Sequence, residues 1–325
     1  MLRHALCAAL ALQALLFASH SMAYPTRPVR LIVPYPPGGP TDLIGRAVNE
    51  GLGKRLGQQV VVDNRGGAAS VVGAEIAARA PADGHTLLVA TATTLAVNPA
   101  LNDRLPYHPT RDFSPVCMLG ATPYMLVVNP AVPATSVAQL ITHLRANPGK
   151  LSFGSAGSGS SAHLAGEMFK HMAGLDIVHI PYKGSGPAMM DVIGGQVAMM
   201  FSSISALKPH IDARRMRPLA VSSAKRSASA PDIPTLDESG LKGYETKSWN
   251  AVVAPRGTPA KIVARINAEL RAVLATPEVA GRAKTQGIEL DPGTPEDLGR
   301  YIGLEMNRYG KLISAIGLKW DNAAQ

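Results

Sequence analysis

The stretch Val29-Arg30-Leu31-Ile32-Val33-Pro34-Tyr35-Pro36-Pro37-Gly38-Gly39-Pro40-Thr41-Asp42-Leu43-Ile44 decides the fold. Its first five residues form an aliphatic, β-branched run of the length of a buried strand. Prolines and glycines then break the chain. From 41 to 56 the residues Leu43, Ile44, Ala47, Val48, Leu52 and Leu56 recur at helical spacing and predict a helix with one apolar face. Strand, glycine turn and helix in that order are the opening half of a βαβ unit.

The alternation continues outward. Strands are expected at 60–62, 86–89, 125–128, 151–153, 178–180, 199–201, 219–221 and 251–253, with a helix around 71–79. The C-terminal part reads as helices over 260–274, 277–286 and 295–316, with Pro259, Pro277 and Pro295 where a helix start tolerates proline. Such alternation predicts an α/β protein with parallel sheets. A long extended segment at 115–128 and an irregular Pro/Gly-rich one at 230–244 look like crossings between two domains. That division gives a discontinuous lobe, 24–122 plus 247–325, and a continuous lobe, 123–246.

Composition agrees. The chain has 325 residues, 46% hydrophobic and only 17% charged, which excludes a disordered protein. No heptad or Gly-X-Y period is present. Residues 1–23 carry a basic start at Arg3 and His4, an apolar run over 5–18, and Ser21-Met22-Ala23 before Tyr24, the layout of a secretory signal peptide. The run is shorter than the ~20 residues needed to span a bilayer. Cleavage after Ala23 removes one arginine and no acid, lowering the formal charge from +9 to +8. It also removes Cys7, so Cys117 stands alone and reads as a buried small hydrophobe.

Three turns could hold a ligand. They are Pro36–Asp42, Gly154-Ser155-Ala156-Gly157-Ser158-Gly159-Ser160-Ser161, and Lys183-Gly184-Ser185-Gly186-Pro187. Each follows a strand and opens a helix, where free amides and the helix dipole favour an anion. Facing one another across a cleft, they would suit a small carboxylate. A hydrogen bond to a charged group contributes about 1.5–3 kcal/mol, and a micromolar ligand needs about 8 kcal/mol net. Four or five such bonds therefore suffice without an arginine.

Other chemistries lack their motifs. Gly-x-Ser-x-Gly is absent, so an exported serine hydrolase has no nucleophile elbow. Gly157-x-Gly159-x-x-Ala162 has no acidic residue ending a strand about twenty residues on, as a dinucleotide site needs. His163, Glu167 and His171 share a helix face but read better as a solvated face than as metal ligands. Arg214, Arg215 and Arg217 cluster without aromatic residues, which argues against nucleic acid.

On these residues the chain resembles the Bug-type, TctC-like substrate-binding proteins of tripartite tricarboxylate transporters. The resemblance rests on Tyr24-Pro25, the Val33–Asp42 stretch, Asp83-Gly84-His85-Thr86-Leu87-Leu88, Pro181-Tyr182-Lys183-Gly184, Gly194-Gly195-Gln196-Val197 and Pro234-Thr235-Leu236-Asp237-Glu238-Ser239-Gly240. It implies two Rossmann-like lobes with a central cleft, the type II periplasmic binding-protein fold that closes like a flytrap. It implies a monomeric, non-enzymatic periplasmic receptor, without cofactor or metal, that hands a small organic carboxylate to membrane permease subunits. A sensing subunit for a membrane kinase is the alternative with the same ligand. Carried over by motif, the site comprises Pro37, Gly38, Gly39, Thr41 and Asp42 on one lobe. On the other it comprises Ser155, Gly157, Ser158, Ser160 and His163, with Thr91, Thr93, Lys183 and Ser202 lining the cleft. The chain departs from the pattern at Ala68-Ala69-Ser70, where relatives carry more glycine, and at Ala198, where Asp is common. Both bear on the far side of the pocket, and so on which ligand fits.

Overall fold

The computed structural model describes residues 24–182 and 184–318; the signal-peptide reading falls on 1–23, outside them. Strands β1 (Val29–Val33), β2 (Val60–Asn64) and β3 (Thr86–Thr91) pair in parallel, with β1 in the middle. Strand β4 (Phe113–Val128) is followed by β5 (Ser152–Ser155), β6 (Val178–Pro181), β7 (Met199–Ser203) and β8 (Arg217–Val221). Of these, β6, β5 and β7 form a second parallel set. Strand β9 (Lys247–Pro255) closes the sheet order β2-β1-β3-β9-β4-β7-β5-β6, with β8 on β4.

The expectation of parallel sheets holds within the two outer sets and fails at the centre. Both β4 and β9 run antiparallel to their neighbours. They enter the sheet as through-going strands rather than by a helical crossover, and only the crossover enforces parallel pairing. Residues 113–123 of β4 pair with β9, while 124–128 pair with β7. One continuous strand thus belongs to both halves of the molecule.

Helix α1 (Pro40–Leu56) starts with Pro40 at its first position and ends at Gly57 in the left-handed region, φ 76°. Its buried stripe is Ile44, Val48, Leu52 and Leu56; Leu43, expected on that face, is 41% exposed at its edge. That stripe packs with Leu31, Val33, Val89 and Val252 of the sheet and Ile266 and Leu270 of α8 (Ala260–Leu274). The other face of the same strands packs Ile32, Leu88 and Trp249 against Ala74 of α2 (Val71–Ala78) and Leu298 of α10 (Pro295–Ile316).

In the second half Phe153, Phe169 and Phe201 pack under α5 (Ser161–Ala173), and Met125, Met200 and Leu207 form the opposite layer with α7 (Ile204–Asp212). The remaining helices are α3 (Asn98–Leu101), α4 (Val137–Arg145), α6 (Ser185–Ile193) and α9 (Pro277–Thr285). Leu164 of α5 joins Ala96, Val97, Tyr309 and Leu312 in one cluster, so α10 and the π-turn Thr93–Val97 of the first half touch the second.

At the crossing, Glu305 of α10 accepts the Trp249 indole N–H at 3.0 Å and pairs with Arg308 at 3.0 Å. Arg308 also reaches Glu245 at 3.0 Å. Cys117 is fully buried, and burial pushes its thiol up to about 12, so it is no nucleophile at neutral pH.

Candidate functional site

The first turn leaves β1 at Val33 and enters α1 through Gly39, its N-cap. Gly38 has φ +86°, a conformation that glycine adopts freely. Asp42, 2% exposed, pins this turn. It accepts hydrogen bonds from the Gly38 N–H, Arg46 Nε and Asn64 Nδ2, each at 2.9 Å. Asn64 also donates to the Tyr35 carbonyl at 3.0 Å. Burial pushes the Asp42 carboxyl up, but the bonds from Arg46, Gly38 and Asn64 outweigh it and hold the group below its ordinary range.

Asp42 and the Gly38 amide are thus bonded to each other within the turn. The first intrahelical-type bond runs from Leu43 N–H to the Gly39 carbonyl at 2.9 Å. The amides of Thr41 and Asp42 are left without an intrahelical acceptor, beside exposed Pro37 and half-buried Gly39.

Behind this turn lies a hydroxyl network. Tyr35 Oη is 3.2 Å from Thr91 Oγ1, which is 3.0 Å from Thr94 Oγ1. Thr94 contacts Ser70 Oγ at 2.9 Å, and its carbonyl accepts the Tyr107 hydroxyl at 2.7 Å. Thr91 is therefore buried and engaged, while Thr93 is half-buried at the head of the π-turn.

Ala68, Ala69 and Ser70 have φ of 46°, 49° and 78°, three consecutive left-handed residues without a glycine. Each costs roughly 1–2 kcal/mol. The loop is held by Asn98 Nδ2, which donates to the Ala69 carbonyl at 2.8 Å, and by the Ser70–Thr94 contact. A departure that looked remote in sequence is thus wired to Thr91.

The second turn leaves β5 at Ser155 and enters α5, whose N-cap Ser160 accepts the His163 N–H through Oγ at 3.2 Å. The Ser161 and Ala162 amides lack intrahelical acceptors, which repeats the geometry at α1. Three of the residues expected to meet ligand are buried or turned to solvent. Ser155 has no exposed surface, and His163 is 3% exposed with Nδ1 accepting the Gly159 N–H at 3.1 Å. Ser158 points to solvent. Ser155 and His163 instead shape the turn from below, whereas Gly157 (φ +130°) and Ser160 remain at its half-exposed rim.

His179 of β6 was not singled out by sequence. Its Nε2 lies 2.7 Å from Ser155 Oγ, and its ring stacks on His163 at 3.8 Å and on Phe153 at 4.8 Å. Burial first, then His163, lowers its pKa to about 4, so it is a neutral imidazole at pH 7. A serine beside a histidine resembles a hydrolytic dyad, but buried Ser155 offers a substrate carbonyl no approach. Its Oγ is already occupied, accepting the Gly157 N–H at 3.2 Å.

Between the turns stands Tyr124, at the point where β4 passes from β9 to β7. Tyr124 is half-buried; desolvation raises the pKa of its hydroxyl, and Ser248 on β9 and Ser161 at the start of α5 pull it back. Gly159 lies against Leu101 of α3, where a Cβ would sit 3.8 Å from Cδ1. The two halves thus meet around the serine-rich turn. Ser202 is buried in β7 opposite Met125, and Lys183 lies outside the described residues.

No group of three or more metal-ligating side chains occurs among the described residues, and His171 points outward from His163 and Glu167. Of the basic cluster, Arg217 donates to the carbonyls of Pro130, Val132 and Ala134 and so serves the fold. No helix among the described residues is long and apolar enough to cross a membrane.

Comparison with known proteins places this geometry among relatives. Residues 44–318 match the tripartite tricarboxylate transporter family receptor (TctC) profile. Protein BugT of Bordetella pertussis is 39% identical over 91% of this chain and 91% of its own. The Rhodopseudomonas palustris protein Rpa4515, solved with adipate, superposes with TM-score 0.80 at 38% identity, covering 91% of this chain and 99% of that one. MatC of the same organism, solved with bound malate, gives 0.76 at 30% identity over 89% and 100%.

Proposed function

Because the chain belongs to the TctC/Bug family of periplasmic solute-binding proteins, we propose that it captures a small organic carboxylate in the cleft between its halves and delivers it to the permease subunits of a tripartite tricarboxylate-type transporter. The observation that carries this reading is the pairing of two glycine-led helix starts. The free amides of Thr41 and Asp42 open α1, those of Ser161 and Ala162 open α5, and Tyr124 stands between. A helix N-terminus concentrates partial positive charge, so two of them favour one anionic group without a guanidinium.

In this reading Gly39, Gly157 and Ser160 meet the ligand directly. Asp42, Ser155 and His163 hold the turns in shape, and Thr91 with Tyr35 lines one wall. The lobes run 24–122 plus 247–325 and 123–246, and they close by bending where β4 changes partner. Residues 1–23 act as the export leader, cut after Ala23.

The test uses ligand-stripped, refolded protein against a panel of organic acids that starts from adipate and malate, the ligands of the two R. palustris relatives. A saturable rise in melting temperature with matching heat of binding is expected for at least one acid. A panel without shift or heat overturns the carboxylate reading.

A further inference from the structure

Asn250 of β9 is 5% exposed, and its Oδ1 has no hydrogen-bond partner among the described residues. Buried polar atoms are nearly always paired, so an orphan of this kind calls for a group the protein does not supply.

Its surroundings identify that group. In the sheet register Asn250 lies directly opposite Thr91 of β3, and opposite residues in an antiparallel pair share a face. Thr91 is the residue whose Oγ1 meets the Tyr35 hydroxyl at the base of the first turn. On the other flank Asn250 faces Gly120, which brings no side chain. Two residues back along β9, on the same face, Ser248 lies opposite Thr122, just before Tyr124, where β4 leaves β9 for β7. Asn250 therefore lies in the strand floor that runs from one carboxylate-binding turn to the other.

We propose that the Asn250 carboxamide is a specificity-determining ligand contact, receiving the hydroxyl of a hydroxylated carboxylate whose acid group is held at the turns. The inference rests on the carboxylate reading above. A bare carboxylate cannot answer Oδ1, because acceptor meets acceptor. Thr91 opposite Asn250 and Ser248 on the same face are uncharged hydroxyl residues, and Glu289, whose backbone covers the Gly120 flank, turns its carboxylate to Ser227, so a ligand ammonium would find no free counter-charge beside Asn250. A ligand hydroxyl donates to Oδ1 and carries no charge to bury.

The experiment is calorimetry of the ligand-stripped protein with matched pairs: malate and succinate, 2-hydroxyglutarate and glutarate, 2-hydroxyadipate and adipate. The wild type should bind the hydroxylated member of the best-fitting pair about tenfold or more tightly than its deoxy partner. Asn250→Leu should erase that preference by weakening the hydroxylated ligand, leave the deoxy affinity within about threefold, and not lower the unliganded melting temperature, since it removes an unanswered polar atom.

Binding without preference in the wild type, a preference retained in Asn250→Leu, or a fall in the unliganded melting temperature overturns the assignment of Asn250 and leaves the carboxylate reading standing. Binding of no acid in the panel removes both.

Discussion

Acidification should loosen the seat of the serine-rich turn through His179. Its Nε2 lies 2.7 Å from Ser155 Oγ, and its ring is packed between Phe153 and His163. A neutral Nε2 can accept the Ser155 hydroxyl; a protonated one cannot. Burial, and after it the neighbouring His163, bring the pKa from 6.5 to about 4, with Glu167 pulling the other way and Lys170 adding to the fall.

An exposed histidine in the unfolded chain keeps its ordinary value. Between pH 4 and 6.5 the unfolded state therefore binds more protons than the folded one. The stabilisation is complete above pH 6.5 and drains away as the pH drops towards 4. A shift of about 2.5 units is worth up to about 3.4 kcal/mol, of which about 2 kcal/mol is lost by pH 5, and solvent at this half-buried ring reduces the expected loss there to about 1 kcal/mol.

The assay is urea denaturation of the wild type and His179→Phe at pH 7.5 and pH 5. The phenylalanine keeps a ring in the stack but has no proton to gain. The wild type should lose about 1 kcal/mol more than the variant on acidification. Equal losses in the two proteins would refute the assignment and place the acid sensitivity elsewhere.

Two further outcomes follow from the first turn and from α5. Asp42→Ala removes the acceptor of three hydrogen bonds and should cost about 2–3 kcal/mol in denaturant unfolding and abolish carboxylate binding by calorimetry, while Asp42→Asn, which still accepts from the Gly38 N–H, should do less of both. Gly166→Ala would drive a methyl into the ring of Phe153; a loss of about 1–3 kcal/mol is expected in the same unfolding assay.

Much of the scaffold was legible because burial writes itself as periodicity. The run at 29–33 and the helices at 260–274 and 295–316 follow from apolar spacing and proline placement alone. Leu43 misled because the apolar stripe of α1 is narrower than the run of apolar letters. The antiparallel centre was hidden because periodicity is blind to a strand's direction.

At the site, glycine turns and helix starts were visible, but hydrogen-bond partners distant in sequence were not. Nothing in the letters couples Asn64 to Asp42, or His179 to Ser155 across 24 positions. Ser155 and His163, carried over by motif as ligand contacts, are buried and bonded to the backbone of the turn. The strain in Ala68-Ala69-Ser70 showed only as a shortage of glycine against the family pattern, since alanine itself does not advertise a left-handed backbone.

The 16-residue strand β4 carries a mechanical consequence. Any swing of one half against the other must twist a ribbon whose rungs are tied on both sides, to β9 below residue 124 and to β7 above it. Such a ribbon stores elastic energy instead of going slack, so the open and shut forms should be joined by a stiff spring with a preferred resting angle. Its amides at Ala121, Thr122, Tyr124 and Met125 should then rank among the slowest in the molecule to exchange with deuterium in either form, whereas a hinge built of loops would betray itself by fast exchange.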